Sequence, residues 1–321
     1  MLLIYCLIGT TARSQTDPLN GHSVASYIQN DTFPRSGVKN SSHSKRIWST
    51  AVQGIGYGGT LLALNQTWYS QYPRGAFKTF NDWEEWKQMD KLGHVYGTYI
   101  QGKTSMELWR WAGASRNTQI WLGGLTGTLF QTVVEYMDGR SPQWGWSWSD
   151  VSANLAGSAL LIGQELAWEE QRVHLKFSFH PKLYNDPDLQ ERSEELFGDR
   201  WTTRMLKDYN AQTYWASFRI ASFWKESKVP AWLCLAVGTG AEGLWGARSN
   251  IKQDPNGSVL FDRREIPRER QWYLSPDIDF TKIPTDKKWL KTIFFALNAF
   301  KAPLPALRYQ AGKWRLLPLY F

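Results

Sequence analysis

The chain changes its hydrophobic period once, near residue 170, and that switch limits the folds open to it. Before it, four segments keep apolar residues on a helical repeat: 47–69, 83–111, 117–137 and 149–168. After it, "RVHLKFSFH" alternates Val173, Leu175, Phe177 and Phe179 with His174, Lys176, Ser178 and His180, the two-residue repeat of a half-buried strand. This predicts the apolar set on the core side and both histidines on the solvent face. Residues 213–224, 231–240, 271–280 and 313–321 read as further strands, 189–198 and 287–300 as helices, and 250–270 as an exposed loop. The expected fold is α+β: a four-helix, membrane-associated bundle over 47–170, then a smaller β-rich segment with two or more helices over 171–321.

Each helical segment is about 20 residues, which approaches bilayer thickness. The second carries Lys103, Glu107 and Arg110, which could hardly face lipid, and the mean hydropathy of −0.45 argues against a multi-span membrane protein. Any membrane contact is expected to be weakly hydrophobic or peripheral. Aromatic residues nevertheless reach 15%, with 19 Trp, and Trp and Tyr favour surfaces where an apolar body meets a wet edge. Residues 1–14 read as a signal peptide ending in Ala12-Arg13-Ser14, and 15–46 as a flexible N-terminus. Tyr5 before Cys6 does not suit a lipobox. Removal of the peptide would leave Cys234 alone, without an intrachain disulfide. The net charge of +8 suits an anionic membrane surface; its basic residues are dispersed and no nucleic-acid motif is present, so no nucleic-acid partner is expected.

Gly54, Gly56 and Gly59 match a dinucleotide fingerprint in form only, because no strand precedes them. The G-x-x-x-G pairs Gly54/Gly58 and Gly123/Gly127 read instead as helix-packing positions.

The chemistry-bearing feature is a set of polar stripes on otherwise apolar helices. Asp90, His94 and Gln101 share one helical face; Gln131, Glu135 and Asp138 share a second; Asp150 and Asn154 a third. Burying such groups is costly unless they meet one another, so convergence into one cluster is expected. Histidine beside carboxylates suits general acid–base work, and the set can also hold a divalent metal, although one histidine is too few for a catalytic zinc triad. The candidate catalytic residues are therefore His94, Asp90, Glu135, Asp138 and Asp150, with Lys91, Arg140 and Asn154 as candidate substrate contacts. No cofactor is required by this pattern. A purely structural role is the alternative: Asp90 and Asp150 as helix caps, and Arg140 neutralising Glu135 or Asp138. Trp144, Trp146 and Trp148 alternate nearby, as expected of an aromatic loop at a membrane surface or pocket mouth.

Asp90-Lys91-x-x-His94, Glu135-x-x-Asp138-Gly139-Arg140, Ser149-Asp150 and Asn154-x-x-Gly157 together resemble the YfiM-like family of uncharacterised predicted periplasmic lipoproteins, over about residues 47–168. They are more distantly similar to VanZ-like membrane proteins. The C-terminal part looks like the long form of the YfiM-like family. The resemblance implies an exported cell-envelope protein, on the periplasmic side or at the outer membrane, with those polar residues as its signature; it supplies no reaction. Expected partners are membrane lipid or a lipid-linked substrate. The leading expectation is a lipid- or partner-binding envelope protein. A membrane-embedded hydrolase or transferase, with His94 as acid or base and Arg140 on phosphate, is the second. An outer-membrane β-barrel component, suggested by the terminal Phe321, is the third.

Overall fold

The computed structural model describes residues 43–70, 75–224 and 226–321, with the side chains of residues 67 and 68 also set aside. The expected signal peptide and most of the expected flexible segment lie outside the described residues. Residues 43–46 do not belong to that segment, because α1 (His43–Leu64) already begins there and runs into a π-helical turn, Asn65–Tyr69.

The helical half continues with β1 (Thr79–Phe80), a 3-10 turn (Glu85–Gln88), α2 (Met89–Trp111), α3 (Gly124–Gly139), β2 (Trp146–Ser147) and α4 (Trp148–Trp168). The second half contains β3 (Val173–Phe179), α5 (Pro187–Phe197), α6 (Trp201–Lys207), β4 (Gln212–Arg219), α7 (Ile220–Phe223) and β5 (Leu233–Glu242). A hairpin follows, β6 (Ile251–Gln253) and β7 (Val259–Asp262), then β8 (Glu269–Ile278), α8 (Lys288–Leu297), β9 (Leu304–Gln310) and β10 (Lys313–Tyr320). The α+β class holds. The region read as a loop over 250–270 contains the β6–β7 hairpin, and β9 is an element the alternation did not reveal.

Helix α2 is the axis of the molecule, with Met89, Tyr99, Ile100 and Met106 buried along it. Glycines set how closely α3 and α4 approach it. A Cβ on Gly127 would collide with the Thr98 carbonyl, and one on Gly157 with the Val95 carbonyl. Gly123 faces the Met106 backbone in the same way, so the Gly123/Gly127 pair packs as expected. Among the described residues a Cβ on Gly54 or Gly58 would meet nothing within 4 Å, so packing through that pair is not observed there. No helix of the described residues is long and apolar enough to cross a membrane. The reason is visible in α2, which buries Lys91, Lys103 and Ser105 among its apolar residues.

The main sheet is antiparallel in the order β10-β9-β8-β5-β4-β3. The apolar face of β3 packs on a core as expected, with Leu175 against the α2 cluster of Tyr99 and Leu161 and Phe177 buried, but the other face is covered as well: His174, Lys176 and Ser178 are buried and not exposed to solvent. Strand period identifies two faces but not whether the second is also covered. Here the inner face is a bonded polar network. Asp277 accepts from Ser217 Oγ at 2.6 Å and pairs with Lys176 Nζ at 2.9 Å; Asp279 pairs with His174 Nε2 at 3.0 Å. Lys103 Nζ on α2 donates to the other ring nitrogen, His174 Nδ1, at 3.3 Å. Trp215, Tyr273 and Tyr320 fill the remaining inner space. The sheet curls until Tyr320 Oη reaches Thr213 Oγ1 at 2.8 Å, while the outer edge of β3 is covered by 299–301 through Phe177.

Candidate functional site

The site forms where the first turns of α2 and α4 meet the middle of α3. Three consecutive residues before α2, Trp86, Lys87 and Gln88, take left-handed backbone with φ of 47°, 51° and 56°. Left-handed geometry costs a non-glycine residue about 1–2 kcal/mol each, and packing holds it here. The Trp86 ring lies between Phe197 and Tyr209, and Trp86 N–H donates to the Ala247 carbonyl. This turn delivers Asp90 and Lys91 at the start of α2. Neither Asp90 nor Asp150 is a helix cap. Gln88 precedes α2 without a side-chain cap bond, and Ser147 caps α4 by accepting from Asp150 N–H.

Lys91 Nζ stands 2.6 Å from Asp82 Oδ2, 2.6 Å from Asp150 Oδ1 and 3.1 Å from Asp90 Oδ2. Asp82 is further held by the hydroxyls of Ser147 and Ser149, at 2.7 and 2.6 Å. His94 shares its Nδ1 with Asn154 Oδ1 at 3.1 Å. That amide oxygen also accepts from Thr98 Oγ1, and an amide oxygen only accepts, so Nδ1 carries the proton. His94 Nε2 then faces three carboxylate oxygens: Asp90 Oδ1 at 3.8 Å, Glu135 Oε1 at 3.8 Å and Asp150 Oδ1 at 3.7 Å. Those distances exceed a hydrogen bond. For Asp90, His94 and Asp150 they match ligands around one ion, since bonds of about 2.1 Å leave neighbouring donor atoms roughly 3–4 Å apart, and Glu135 stands beside that set. Donor atoms of Asp90, His94 and Asp150 all fall within 4.8 Å of one another. The side chains of Asp90 and His94 are 27% and 17% exposed against 3% for Glu135, so the centre opens at the α2 side.

The electrostatics follow from burial and crowding. Burial, with Asp150 and Asp138 adding to it against His94, pushes Glu135 up to about 8. Burial and Asp90 push Asp150 up to about 7, with His94 and Lys91 opposing. For Asp90, burial is outweighed by His94 and Lys91, and its carboxyl lies below the usual value. Burial is likewise outweighed at His94 by Asp90, Asp150 and Glu135, which raise the imidazole. Such a centre stores protons or takes a cation in their place.

The structure thus brings together Asp90, Lys91, His94, Glu135, Asp150 and Asn154. Asp138 adjoins the cluster without bonding to it: it accepts from Tyr69 Oη at 2.7 Å, burial pushes it up to about 6, and the charges of His94 and Asp90 reach it. Gln101 is two turns further along α2, where its carbonyl accepts from Tyr57 Oη. Arg140 makes no ion pair among the described residues, so it does not neutralise Glu135 or Asp138. It lines a cavity of about 560 Å³ with Leu61, Leu62, Tyr69, Tyr136 and Met137. Of the three alternating tryptophans, Trp146 packs between Phe77 and Trp148, and Trp144 and Trp148 are exposed. Sequence reasoning missed Asp82, Ser147 and Tyr209, whose hydroxyl donates to Asp90 Oδ1 at 2.9 Å.

Residues 80–162 match the model of a family described as predicted periplasmic lipoprotein (DUF2279). The match covers about a quarter of the chain and includes Asp82, Asp90, Lys91, His94, Glu135, Ser147, Asp150 and Asn154, but not Tyr209. It supports an exported cell-envelope protein of an uncharacterised kind. It gives no support to the more distant VanZ-like similarity or to the YfiM-like name. No curated protein and no solved structure matches the chain.

Proposed function

We propose that this is a cell-envelope protein that binds an anionic, lipid-linked head group through a divalent cation held by Asp90, His94 and Asp150, with the Glu135 carboxyl beside them. The observation that carries the reading is the orientation of His94. Its Nδ1 is committed to Asn154, so Nε2 is turned toward three carboxylate oxygens whose charge the Nε2 proton and Lys91 meet in the metal-free chain, and a divalent cation takes the place of that proton. Two carboxylate oxygens and one imidazole nitrogen, leaving coordination positions open for a ligand, suit Mn²⁺, Mg²⁺ or Zn²⁺. A separate cavity, apolar along α1 and α3, bordered by Arg140 and adjoining the cluster through Tyr69, the donor to Asp138, has the size of a ligand pocket of roughly 300–1,000 Å³. An acyl or prenyl chain fits its lining, and Arg140 suits a phosphate.

The strained turn at Trp86–Gln88 favours a second reading, in which the same centre catalyses hydrolysis or transfer at that head group with His94 as acid or base.

Calorimetric titration of short-chain phosphatidic acid and of inorganic phosphate, each with and without Mn²⁺, tests the binding. Phosphatidic acid is expected to bind in the presence of Mn²⁺, at least about tenfold more weakly without it or in Arg140→Ala. Inorganic phosphate, lacking a chain, is expected to bind more weakly still. Equal affinity with and without Mn²⁺, and in His94→Ala, would contradict the proposal.

A further inference from the structure

On β3 and β4 the apolar face of the main sheet is covered by α2, but over β5, β8, β9 and β10 it is open. Cross-strand register aligns Val237, Leu274, Leu307 and Leu316 in one aliphatic row over β5, β8, β9 and β10. Two residues along, the register aligns Trp272, Tyr309 and Trp314 in an aromatic row. All but Leu307 of these seven are exposed, whereas Asp277, Lys176, Ser217 and Gln271 are buried behind them. In water this arrangement is doubly unfavourable: apolar area stays wet and charged groups are desolvated. It is favourable where the outside is hydrocarbon.

We propose that this outward face lies against the hydrocarbon of an anionic lipid bilayer. Charge complementarity selects lipid over a protein partner. Lys313 and Arg315 flank Trp314 at one end; Lys228, Lys287 and Lys288 are exposed in the segments leaving the other, against Glu226 and Asp286. Cations at both margins of an apolar band match the phosphates of two head-group layers.

Helix α8 fits the same surroundings. It buries none of its residues, exposes Trp289, Ile293 and Leu297 along one stripe, and starts at the lysines. A helix with that pattern settles in the head-group region. The inference does not depend on the cation centre, which lies on the helical half, and the two stand or fall separately.

The test is flotation of the purified full chain with vesicles of phosphatidylcholine, with and without phosphatidylglycerol, combined with nitroxide labels at Val237→Cys and Lys313→Cys in a Cys6→Ser background. Cys234 is buried and stays unlabelled. The expected result is flotation that increases with phosphatidylglycerol. The label at 237 is expected to be accessible to oxygen and protected from a water-soluble nickel complex, with the reverse at 313. A chain that stays unbound in both vesicle types overturns the proposal. So does a label at 237 that the nickel complex reaches as readily as the one at 313, or a lipid-free dimer that protects it. Should Val237→Cys fail to fold, Leu274→Cys reports on the same row.

Discussion

His94 Nδ1 and Asn154 Oδ1 stand 3.1 Å apart across the α2–α4 interface, and this contact decides which nitrogen of the imidazole faces Asp90, Glu135 and Asp150. Replacing Asn154 by Ala frees the ring to rotate or change tautomer. Loss of such an orienting partner typically weakens metal affinity by about 10–100-fold. Mn²⁺ titration of folded Asn154→Ala is expected to show a loss in that range while His94 itself remains. An unchanged affinity would mean that the tautomer is set elsewhere.

Asp82 is the anchor of Lys91, with the Ser147 and Ser149 hydroxyls completing its shell. Asp82→Asn leaves a buried ammonium short of one counter-charge, a change that costs about 3–5 kcal/mol when a buried pair is broken. Chemical denaturation is expected to show a loss toward the lower end of that range, because Asp90 and Asp150 still face Lys91.

The glycine contacts separate packing from mere spacing. Gly127→Ala and Gly157→Ala must push α3 or α4 away from a carbonyl of α2, and overpacking of this kind costs about 1–3 kcal/mol or more. Gly54→Ala and Gly58→Ala meet open space among the described residues and are expected to leave stability unchanged, or to raise it by about 0.5–1 kcal/mol through helix propensity. Thermal melts of the four variants give the ordering.

Lys103 predicts a pH effect remote from the site. Burial, opposed by Asp279 and Glu107, lowers its ammonium to about 8 from the ordinary 10.5. Between those values the unfolded chain binds the extra proton, so this group's contribution to stability rises with pH across the window and is lost as pH falls through 8. The full difference is about 3 kcal/mol. Lys103→Met removes the term: its stability relative to the native chain is expected to be highest near pH 7 and to decline toward pH 10.5. A constant difference across that range would contradict the assignment.

The helical half was legible because its signal is periodic. Asp90 and His94, Glu135, and Asp150 and Asn154 each lie on a polar stripe, and polar stripes on buried helices have to meet. Asp82 was not legible, because it precedes α2 in irregular chain and its partners come from α2 and from the β2–α4 junction. Gly123 and Gly127 read correctly, while the same spacing at Gly54 and Gly58 packs against nothing among the described residues; spacing reveals a small face and says nothing about a neighbour. In the sheet the period and the packing of Leu175 and Phe177 were right, and the solvent exposure of the other face was wrong. Reading His174 and Lys176 as exposed assumed that polar groups face water, and the chain instead satisfies them with Asp279 and Asp277 contributed from the far end of β8. β9 escaped because Pro303 and Pro305 interrupt "KAPLPALRYQ", which suits a strand whose first residues do little pairing.

The most direct measurement is the metal content of the purified chain after exposure to Mn²⁺ and Zn²⁺ and removal of free ions. The account predicts a stoichiometric ion in the native protein and its loss in folded His94→Ala and Asp150→Asn. A native protein without metal, or variants that keep it, would contradict the central claim and leave the Asp90–His94–Glu135–Asp150 cluster as a proton-sharing structural junction.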